Sequence, residues 1–233
     1  MGNAVLRSAS DLQLGGSTTG DLTVTGSGGL SQSSALSVGG DADLQITDDI
    51  VLNNASNNFS GAVSGSATRI ALTDSSGGLQ LGSLTTPGTL DIISSGGDVT
   101  QAAGSQLTIG GNVSLSAENS GTPADVILES NGNALSGRVS ATGGDVTISA
   151  AELTFDRVST SGTFEATAQS GDLTLDNDVS VGALILSSAQ GGVAQSAGAV
   201  NVSSGPTSLS AATDVILSQA NNDFSGTVNA SGA

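Results

Sequence analysis

The sequence contains no cysteine, histidine, tryptophan or tyrosine, and its 4 basic residues are all arginine: Arg7, Arg69, Arg138 and Arg157. Without histidine, lysine, cysteine or tyrosine, carboxylates are the only side chains available as catalytic acids or bases. Without tryptophan or tyrosine, the chain also lacks the aromatic platform on which a sugar ring usually stacks. We therefore predict no enzymatic activity, no catalytic residue and no cofactor-binding residue.

The absence of cysteine and of long apolar runs bears on location. Extracellular bacterial proteins often lack cysteine, although cytosolic proteins can lack it too. The first residues, MGNAVLRSAS, show no basic segment followed by an apolar stretch, and no run is long enough to span a bilayer. Because the repeat pattern is present by Leu12 and continues to Phe224, we expect one continuous unit, residues 1–233, taken from a longer protein, with Met1 and Gly2 an artificial start.

The charge balance is strongly acidic, with a net charge of −17 at pH 7. Acidity with few aromatic residues is typical of disordered chains, but the Val, Ile and Leu residues here alternate regularly, which favours a folded protein. A surface that binds nucleic acid needs clustered Lys or Arg, and none exists. The acidity also disfavours docking on an anionic membrane. We expect neither a nucleic-acid partner nor membrane insertion.

A pattern of short alternating segments recurs along the chain. Three copies are LQLGGSTTGDLTVTGSGGLSQ (12–32), LQLGSLTTPGTLDIISSGGDVTQ (79–101) and LTLDNDVSVGALILSSAQGGVAQ (173–195). Each has alternating apolar triplets, a Gly-containing polar stretch, and a Gly-Gly that leads to a closing Gln. Their apolar anchors are Leu12, Leu22, Leu30; Leu79, Leu90, Val99; and Leu173, Leu184, Val193. The pattern predicts short strands about every ten residues.

Short strands with one apolar face must stack on one another to bury it. The sequence therefore predicts an all-β fold, a parallel β-helix (β-solenoid) of about 20 residues per coil in a single continuous array. With about 11 turns at roughly 4.8 Å each, the rod would be about 55 Å long. Backbone ladders and an aliphatic stack would give it stiffness.

An Asn-rich turn marks the end of each larger unit. The three examples are NNASNNFSGAV (53–63), SNGNALSGRV (130–139) and QANNDFSGTV (219–228), and each follows a DIVL or DVIL strand. We interpret Asn53, Asn54, Asn57 and Asn58 as turn residues that tolerate positive φ and hydrogen-bond in a ladder; the alternative is a polar recognition surface. ENSGTPA (118–124) is a loop insertion in the middle copy, and the phasing of the strands around 145–168 stays open.

Paired carboxylates are the candidate chemical groups: Asp41 with Asp43, Asp48 with Asp49, and Asp176 with Asp178. Asp41 follows Gly40, and Asp176 and Asp178 flank Asn177, in turn sequences where Asp is an ordinary residue; Asp48 and Asp49 are also interpreted as turn residues. Asp groups are also the hard oxygen ligands that calcium prefers. The GGD triplets at 39–41, 96–98 and 143–145 partly match the calcium-binding nonapeptide but lack its third glycine and tandem spacing. We therefore expect turn chemistry and no metal site, with calcium the alternative.

Segments such as LTIGGNVSLSA, DVILES, DVILSQANNDFSGTV and GDLTLDNDVSVGALILSS resemble the repeat region of large bacterial exoproteins of the filamentous haemagglutinin type. These resemble adhesins exported by two-partner secretion. The resemblance implies a right-handed parallel β-helix shaft, a secreted or cell-surface location, and a role in adhesion or biofilm formation. The chain lacks the secretion domain and any recognisable receptor-binding module of that family.

The function predicted from these features is that of a structural shaft in an extracellular bacterial adhesin or surface fibre, with end-to-end self-stacking as a corollary of open coils. One alternative is a module that binds glycan or protein on a host or neighbouring cell through its outward loops. A further alternative is an enzyme that acts on polysaccharide.

Overall fold

The computed structural model describes residues 2–18 and 20–233. These residues are all-β without helices and form a β-solenoid of about 11 turns with roughly 20 residues per turn, as predicted. Within the described ranges there is no helix long and apolar enough to cross a membrane.

The strands are numbered along the chain. They are β1 (Ala4–Ser8), β2 (Leu12–Thr18), β3 (Leu22–Gly26), β4 (Leu30–Val38), β5 (Ala42–Ile46), β6 (Asp49–Leu52), β7 (Asn58–Phe59), β8 (Ala62–Ser66), β9 (Arg69–Asp74), β10 (Leu79–Thr86), β11 (Leu90–Ser94), β12 (Gly96–Gly97), β13 (Val99–Gln101), β14 (Leu107–Ile109), β15 (Val113–Asn119), β16 (Thr122–Pro123), β17 (Val126–Leu128), β18 (Ala134–Leu135), β19 (Arg138–Gly143), β20 (Val146–Ala150), β21 (Leu153–Thr160), β22 (Thr163–Ala168), β23 (Leu173–Leu175), β24 (Val179–Val181), β25 (Ala183–Ser188), β26 (Val193–Gln195), β27 (Val200–Val202), β28 (Thr207–Ala211), β29 (Val215–Ile216), β30 (Asp223–Phe224) and β31 (Val228–Ser231).

Two parallel sheets run along the solenoid, and the chain alternates between them. Sheet A follows the order β1-β3-β5-β8-β10-β13-β17-β20-β22-β25-β28-β31, with β14 beside β10 and β18 beside β14. Sheet B carries β2, β4, β6 and β7, β9, β11, β15, β19, β21, β23 and β24, β26 and β27, and β29 and β30. In several turns one strand is therefore replaced by two short strands with a corner between them.

Aliphatic residues stack on aliphatic residues from one turn to the next. In sheet A, Leu79 is in register with Val99, and Val99 with Val126. Each strand alternates between buried and exposed residues, as Ala42–Ile46 illustrates. The inward residues form one hydrophobic cluster that extends from Leu14 to Leu209. A continuous core of this kind replaces the bulky aromatic core that the composition excludes.

The nine predicted anchor residues all occupy inward positions. Eight are buried, and Leu12, in the first turn, is partly buried against the core. In sheet B, Leu12 is in register with Leu30, Leu30 with Ile50, and Ile50 with Ile70, so Ile70 lies three turns from Leu12. The chain then crosses to sheet A, where Leu79 lies a further half turn along the solenoid. Equivalent strands of successive copies therefore lie on opposite sheets.

The region whose phasing the sequence left open contains an extra turn. Strands β20 and β21 lie between the second and third copies and add a full turn to the stack. Phe155 in β21 and Phe164 in β22 are fully buried, and their rings meet edge to face at 4.8 Å with an interplanar angle of 83°. This pair fills the core where the repeat is interrupted.

Candidate functional site

The closing Gln and the Asn-rich turn of each copy meet across adjacent turns of the solenoid. Gln32 Nε2 donates to Asn57 Oδ1 at 2.6 Å, and Asn57 Nδ2 donates to Gln32 Oε1 at 3.1 Å. Asn57 Nδ2 also donates to the Leu52 carbonyl at 3.0 Å, and Asn57 Oδ1 accepts the Leu36 N–H at 2.8 Å. We call this arrangement a Gln–Asn clasp.

The clasp recurs in the other two copies, on alternating sheets. Gln101 pairs reciprocally with Asn133 (2.8 and 3.0 Å) in sheet A. Gln195 pairs with Asn222 (2.9 and 2.8 Å) in sheet B. The Asn Oδ1 again accepts a backbone N–H, from Leu107 or Val200.

The position of each clasp explains its role. Residues Leu30 and Val38 of β4 pair with β6 and β7 respectively, so the ladder is interrupted between them. The Asn57 amide occupies this interruption and accepts the Leu36 N–H that would otherwise be buried without a partner. The three clasps therefore allow a corner to replace part of a strand without leaving buried polar groups unsatisfied.

This geometry corrects two details of the prediction for the Asn-rich turn. Asn57 is buried and hydrogen-bonds to a Gln of the preceding turn, so a Gln–Asn pair stands at this position in place of the expected ladder. The only non-glycine residue with positive φ in the described part of the chain is Ser120, so this turn does not use left-handed Asn conformations. Asn53 is exposed and Asn58 is half-buried, which leaves these two available at the surface.

Aspartates of the GGD triplets cap the backbone of the next turn. Asp41 Oδ1 accepts the Ala62 N–H at 2.9 Å, Asp98 Oδ1 accepts the Asp125 N–H at 2.9 Å, and Asp145 Oδ1 accepts the Thr163 N–H at 2.6 Å. The turn chemistry expected for these triplets is thus specific: each carboxylate binds the N–H that opens the next strand of sheet A.

In two of these caps, the residue before the capped N–H is a glycine, and the carboxylate occupies the space that a side chain there would take. A Cβ at Gly162 would lie 2.0 Å from Asp145 Oδ1, and one at Gly61 would lie 2.5 Å from Asp41 Oδ1. At these two positions a side chain would displace the cap. In the third case Ala124 precedes the capped Asp125 N–H, so there the cap is made without a glycine.

The three predicted carboxylate pairs lie in different places. Asp41 and Asp48 are in turns, but Asp43 lies within β5 and Asp49 begins β6. Asp43 Oδ1 accepts a bond from Gln45 Nε2 at 2.7 Å.

Asp176 and Asp178 lie between β23 and β24. Asp178 Oδ1 caps the Ala199 N–H at 2.9 Å, and Asp176 forms an ion pair with Arg138. Arg138 also contacts Asp156 at 3.7 Å, so one guanidinium links three successive turns of sheet B.

Asp11, Asp48 and Asp49 line a shallow depression of about 250 Å³. Among residues 2–18 and 20–233 no group of three or more His, Cys, Asp or Glu is arranged to hold a metal ion.

Asp74 is a buried carboxylate that sequence reasoning did not single out. Its side chain is fully buried, and it accepts the Phe59 N–H at 2.7 Å and the Ser76 N–H at 3.0 Å. Desolvation by burial raises the pKa of Asp74, and the backbone hydrogen bonds act in the opposite direction. Its sequence neighbours, Thr73 and Ser75, give no sign of this burial, because it depends on the Asn-rich turn of the preceding coil.

The ENSGTPA insertion forms a projecting β-hairpin. Strand β15 continues outward to Asn119, pairs in antiparallel fashion with β16, and pairs with β12 on its other side. Ser120 and Gly121 turn the hairpin with positive φ, and residues 118–123 are all exposed. This insertion is the one antiparallel element described, and its polar tip leaves the flanking turns intact.

The fold and the recurring clasps define a β-solenoid repeat protein. The chain belongs to the family described as repeats of unknown function (DUF5649), whose model matches residues 1–66, 67–142 and 165–231. Each matched range includes one clasp, and the extra turn lies between the second and third ranges. No curated protein and no solved structure matches the chain.

Proposed function

We propose that this protein is a structural shaft, a segment of an extracellular bacterial adhesin or surface fibre. The observation that carries the proposal is the single hydrophobic cluster from Leu14 to Leu209, enclosed by two parallel sheets. A rod with one uninterrupted core transmits force along its axis through backbone ladders, which suits a spacer that holds another module away from a surface.

Sequence features support the surface location and the adhesive context. The repeat segments resemble those of filamentous haemagglutinin-type exoproteins, and the chain has no cysteine. Its net charge of −17 repels nonspecific acidic partners, including nucleic acid and anionic membranes. We assign no reaction and no cofactor to this segment, and adhesion or biofilm formation is the role of the assembly in which it serves.

The hydrogen bonds of the Gln–Asn clasps and the Asp caps support a mechanical role. The three Gln–Asn clasps satisfy backbone groups at interrupted strands, and the Asp caps tie several corners of sheet A to the next turn. Both devices connect adjacent turns, so they resist separation of the turns along the rod axis. Since their side chains are engaged within the protein, they are not free for a ligand.

Electron microscopy with solution scattering tests the shaft. The purified chain should give rods of about 55 Å, or end-to-end multiples of that length. Surfaces coated with the chain should not retain cells or glycans above the level of an inert acidic protein. A compact globule, an expanded coil, or saturable binding to one glycan would contradict a purely structural role.

A second candidate function is direct binding of glycan or protein through outward loops. The exposed hairpin at 118–123 favours it, because this element extends beyond the minimal turn and contributes nothing to the inward stack. Substituting Glu118, Asn119 and Thr122 with alanine should then abolish adhesion while the rods keep their length. Asn53→Ala with Asn58→Ala is the matched change on an Asn-rich turn; retained adhesion in both variants would exclude this function.

A further inference from the structure

The turn that carries the second clasp contains a dipeptide found nowhere else in the chain. Asn131 is followed by Gly132, and this is the single Asn-Gly pair in the sequence. The two residues form the tip of a four-residue turn, which the Asn133 N–H closes by donating to the Ser130 carbonyl at 3.1 Å. Both tip residues are exposed. A side-chain amide therefore stands directly before a glycine at the surface.

The fold does not require this pair of residues. The equivalent turns of the other two copies have Ala55-Ser56 and Ala220-Asn221 at the tip, and the same backbone bond closes each of them. Gly132 does not adopt a positive φ. A Cβ at Gly132 would lie 2.2 Å from Nε2 of Gln106, which is the end of a flexible side chain and can turn away. The Asn-Gly pair is thus a local property of the second copy.

Two donors from the next two turns of the solenoid hold the side-chain oxygen of Asn131. Ser149 Oγ donates to Asn131 Oδ1 at 3.2 Å, and Gln169 Nε2 donates to the same oxygen at 3.0 Å and to Ser149 Oγ at 2.9 Å. Ser149 is buried. Within the described residues, neither Asn131 Nδ2 nor the Gly132 N–H donates a hydrogen bond to the protein. The oxygen is therefore held, while the side-chain nitrogen and the next backbone nitrogen are free.

We propose that Asn131 is a self-modification site, at which the backbone nitrogen of Gly132 displaces the side-chain amide. This nitrogen loses its proton to hydroxide and bonds to Cγ of Asn131, and Nδ2 takes a proton from water and leaves as ammonia. Negative charge develops on Oδ1 during the attack, at the atom to which Ser149 and Gln169 donate. Water then opens the five-membered succinimide at either carbonyl, which gives aspartate or isoaspartate. The inference goes beyond the proposed function and does not depend on it.

The isoaspartate product alters the clasp that this turn carries. Its main chain runs through Cγ, so the backbone between Ser130 and Asn133 is longer by one carbon. Ser130 donates its N–H to Gln101 Oε1 at 3.3 Å, and Asn133 pairs with the same Gln101 side chain. A longer turn cannot keep both residues in place on Gln101. Protein enriched in isoaspartate should therefore unfold at a lower urea concentration than freshly purified protein.

Mass spectrometry of the incubated 233-residue chain tests the reaction. The chain is kept in mildly alkaline buffer and then digested with trypsin, which cuts after Arg69 and Arg138 and releases residues 70–138. Fragmentation of this peptide locates the deamidated residue and distinguishes aspartate from isoaspartate. Asn131 should react before Asn119, which is also exposed and is followed by Ser120. The rate should rise with pH, because the attacking nitrogen must first lose its proton.

Two control variants place residues of the first copy in the second. Asn131→Ala, which matches Ala55, should give no product at this position. Gly132→Ser, which matches Ser56, should slow the reaction about tenfold, since a Cβ crowds the nitrogen and restricts the backbone. Electron microscopy of both variants should show rods of wild-type length, so that a change in rate reflects the chemistry of the turn.

Ser149→Ala tests the contribution of the fold. Loss of one neutral hydrogen bond to the developing charge should slow the reaction about fivefold in the native protein. In concentrated urea, where this contact does not exist, the variant and wild type should react at the same rate. Faster reaction of native Ser149→Ala would show that the contact protects Asn131 and would overturn the proposal. A native chain that reacts at Asn119 first, or that stays unmodified while the urea-unfolded chain reacts, would also overturn it.

Discussion

Buried amides set the stability of the corners at the scale of single residues. Asn57 makes four hydrogen bonds from a position with no exposed surface, whereas Asn58 beside it makes one long contact of 3.5 Å from the Ser60 hydroxyl. Although both residues are asparagine, Asn57 should therefore contribute more to the free energy of unfolding than Asn58 does.

Asn57→Ala should reduce the free energy of unfolding by about 3 kcal/mol, because it leaves the buried Leu36 N–H without its acceptor and removes both hydrogen bonds between Asn57 and the Gln32 amide. Urea denaturation followed by circular dichroism measures the change. Asn58→Ala is the matched control and should change stability by less than about 0.5 kcal/mol. Equal losses in the two variants would mean that the clasp has no special role.

Asp74 gives the protein a pH-dependent stability term. Its folded-state pKa is raised from the ordinary value of 3.8, so between that value and the folded pKa the native state binds more protons than the unfolded state. Stability from this group is therefore present at low pH and is lost as pH rises through that window.

Comparison with Asp74→Asn isolates the effect, since the other carboxylates are common to both proteins. The wild-type free energy of unfolding minus that of the variant should fall as pH rises from about 4 and then become constant. Urea titrations between pH 3 and pH 8 measure this difference. A difference that rises with pH would refute the raised pKa.

At the scale of elements, strands were predictable and their interruptions were not. Period-two alternation in DLQI or VTIS identifies a strand, because each inward position needs an aliphatic residue. The closing Gln and the Asn-rich turn were both recognised as recurring, but their pairing was missed because 25 residues separate Gln32 from Asn57. Long-range pairing of this kind depends on the coil length, which the sequence defines only approximately.

At the corner of sheet A, the aspartate cap and the glycine that makes room for it act together. The Asp145 carboxylate occupies the site where a Gly162 side chain would lie, so Asp145→Ala and Gly162→Ala should each cost about 1 kcal/mol by loss of the same cap. The double variant should cost no more than about the larger single effect, which a double-mutant cycle measures. Fully additive losses would show that the two positions act separately. Asp43→Ala serves as the control, because the Asp43 carboxylate accepts a bond from the exposed Gln45 side chain and caps no backbone N–H among the described residues.

For the whole molecule, the repeat is a module that can be removed. Residues 67–142 form one family repeat of seven strand positions, or about 3.5 turns. Val146 follows the SGRV segment as Ile70 follows SGAV, so joining Ser66 to Gly143 restores an equivalent junction. The later strands then exchange sheets, which the chain tolerates because equivalent strands already occur on both.

Deletion of 67–142 should therefore yield a folded rod that is shorter by about 17 Å. Electron microscopy measures the length and circular dichroism the strand content. As a control, deletion of 67–132 removes a segment of similar size but cuts before Asn133, and it should fail to fold cooperatively. A folded rod from the control deletion would show that the phase of the cut does not matter.

The half-turn in the repeat makes the molecule two-sided. Because equivalent strands of successive repeats alternate between sheet A and sheet B, a surface feature that is duplicated with its repeat reappears on the opposite flank of the rod. Labels placed on one equivalent outward residue per repeat would form a zigzag along the axis. A rod built in this way presents the same surface determinant on both its left and its right flank.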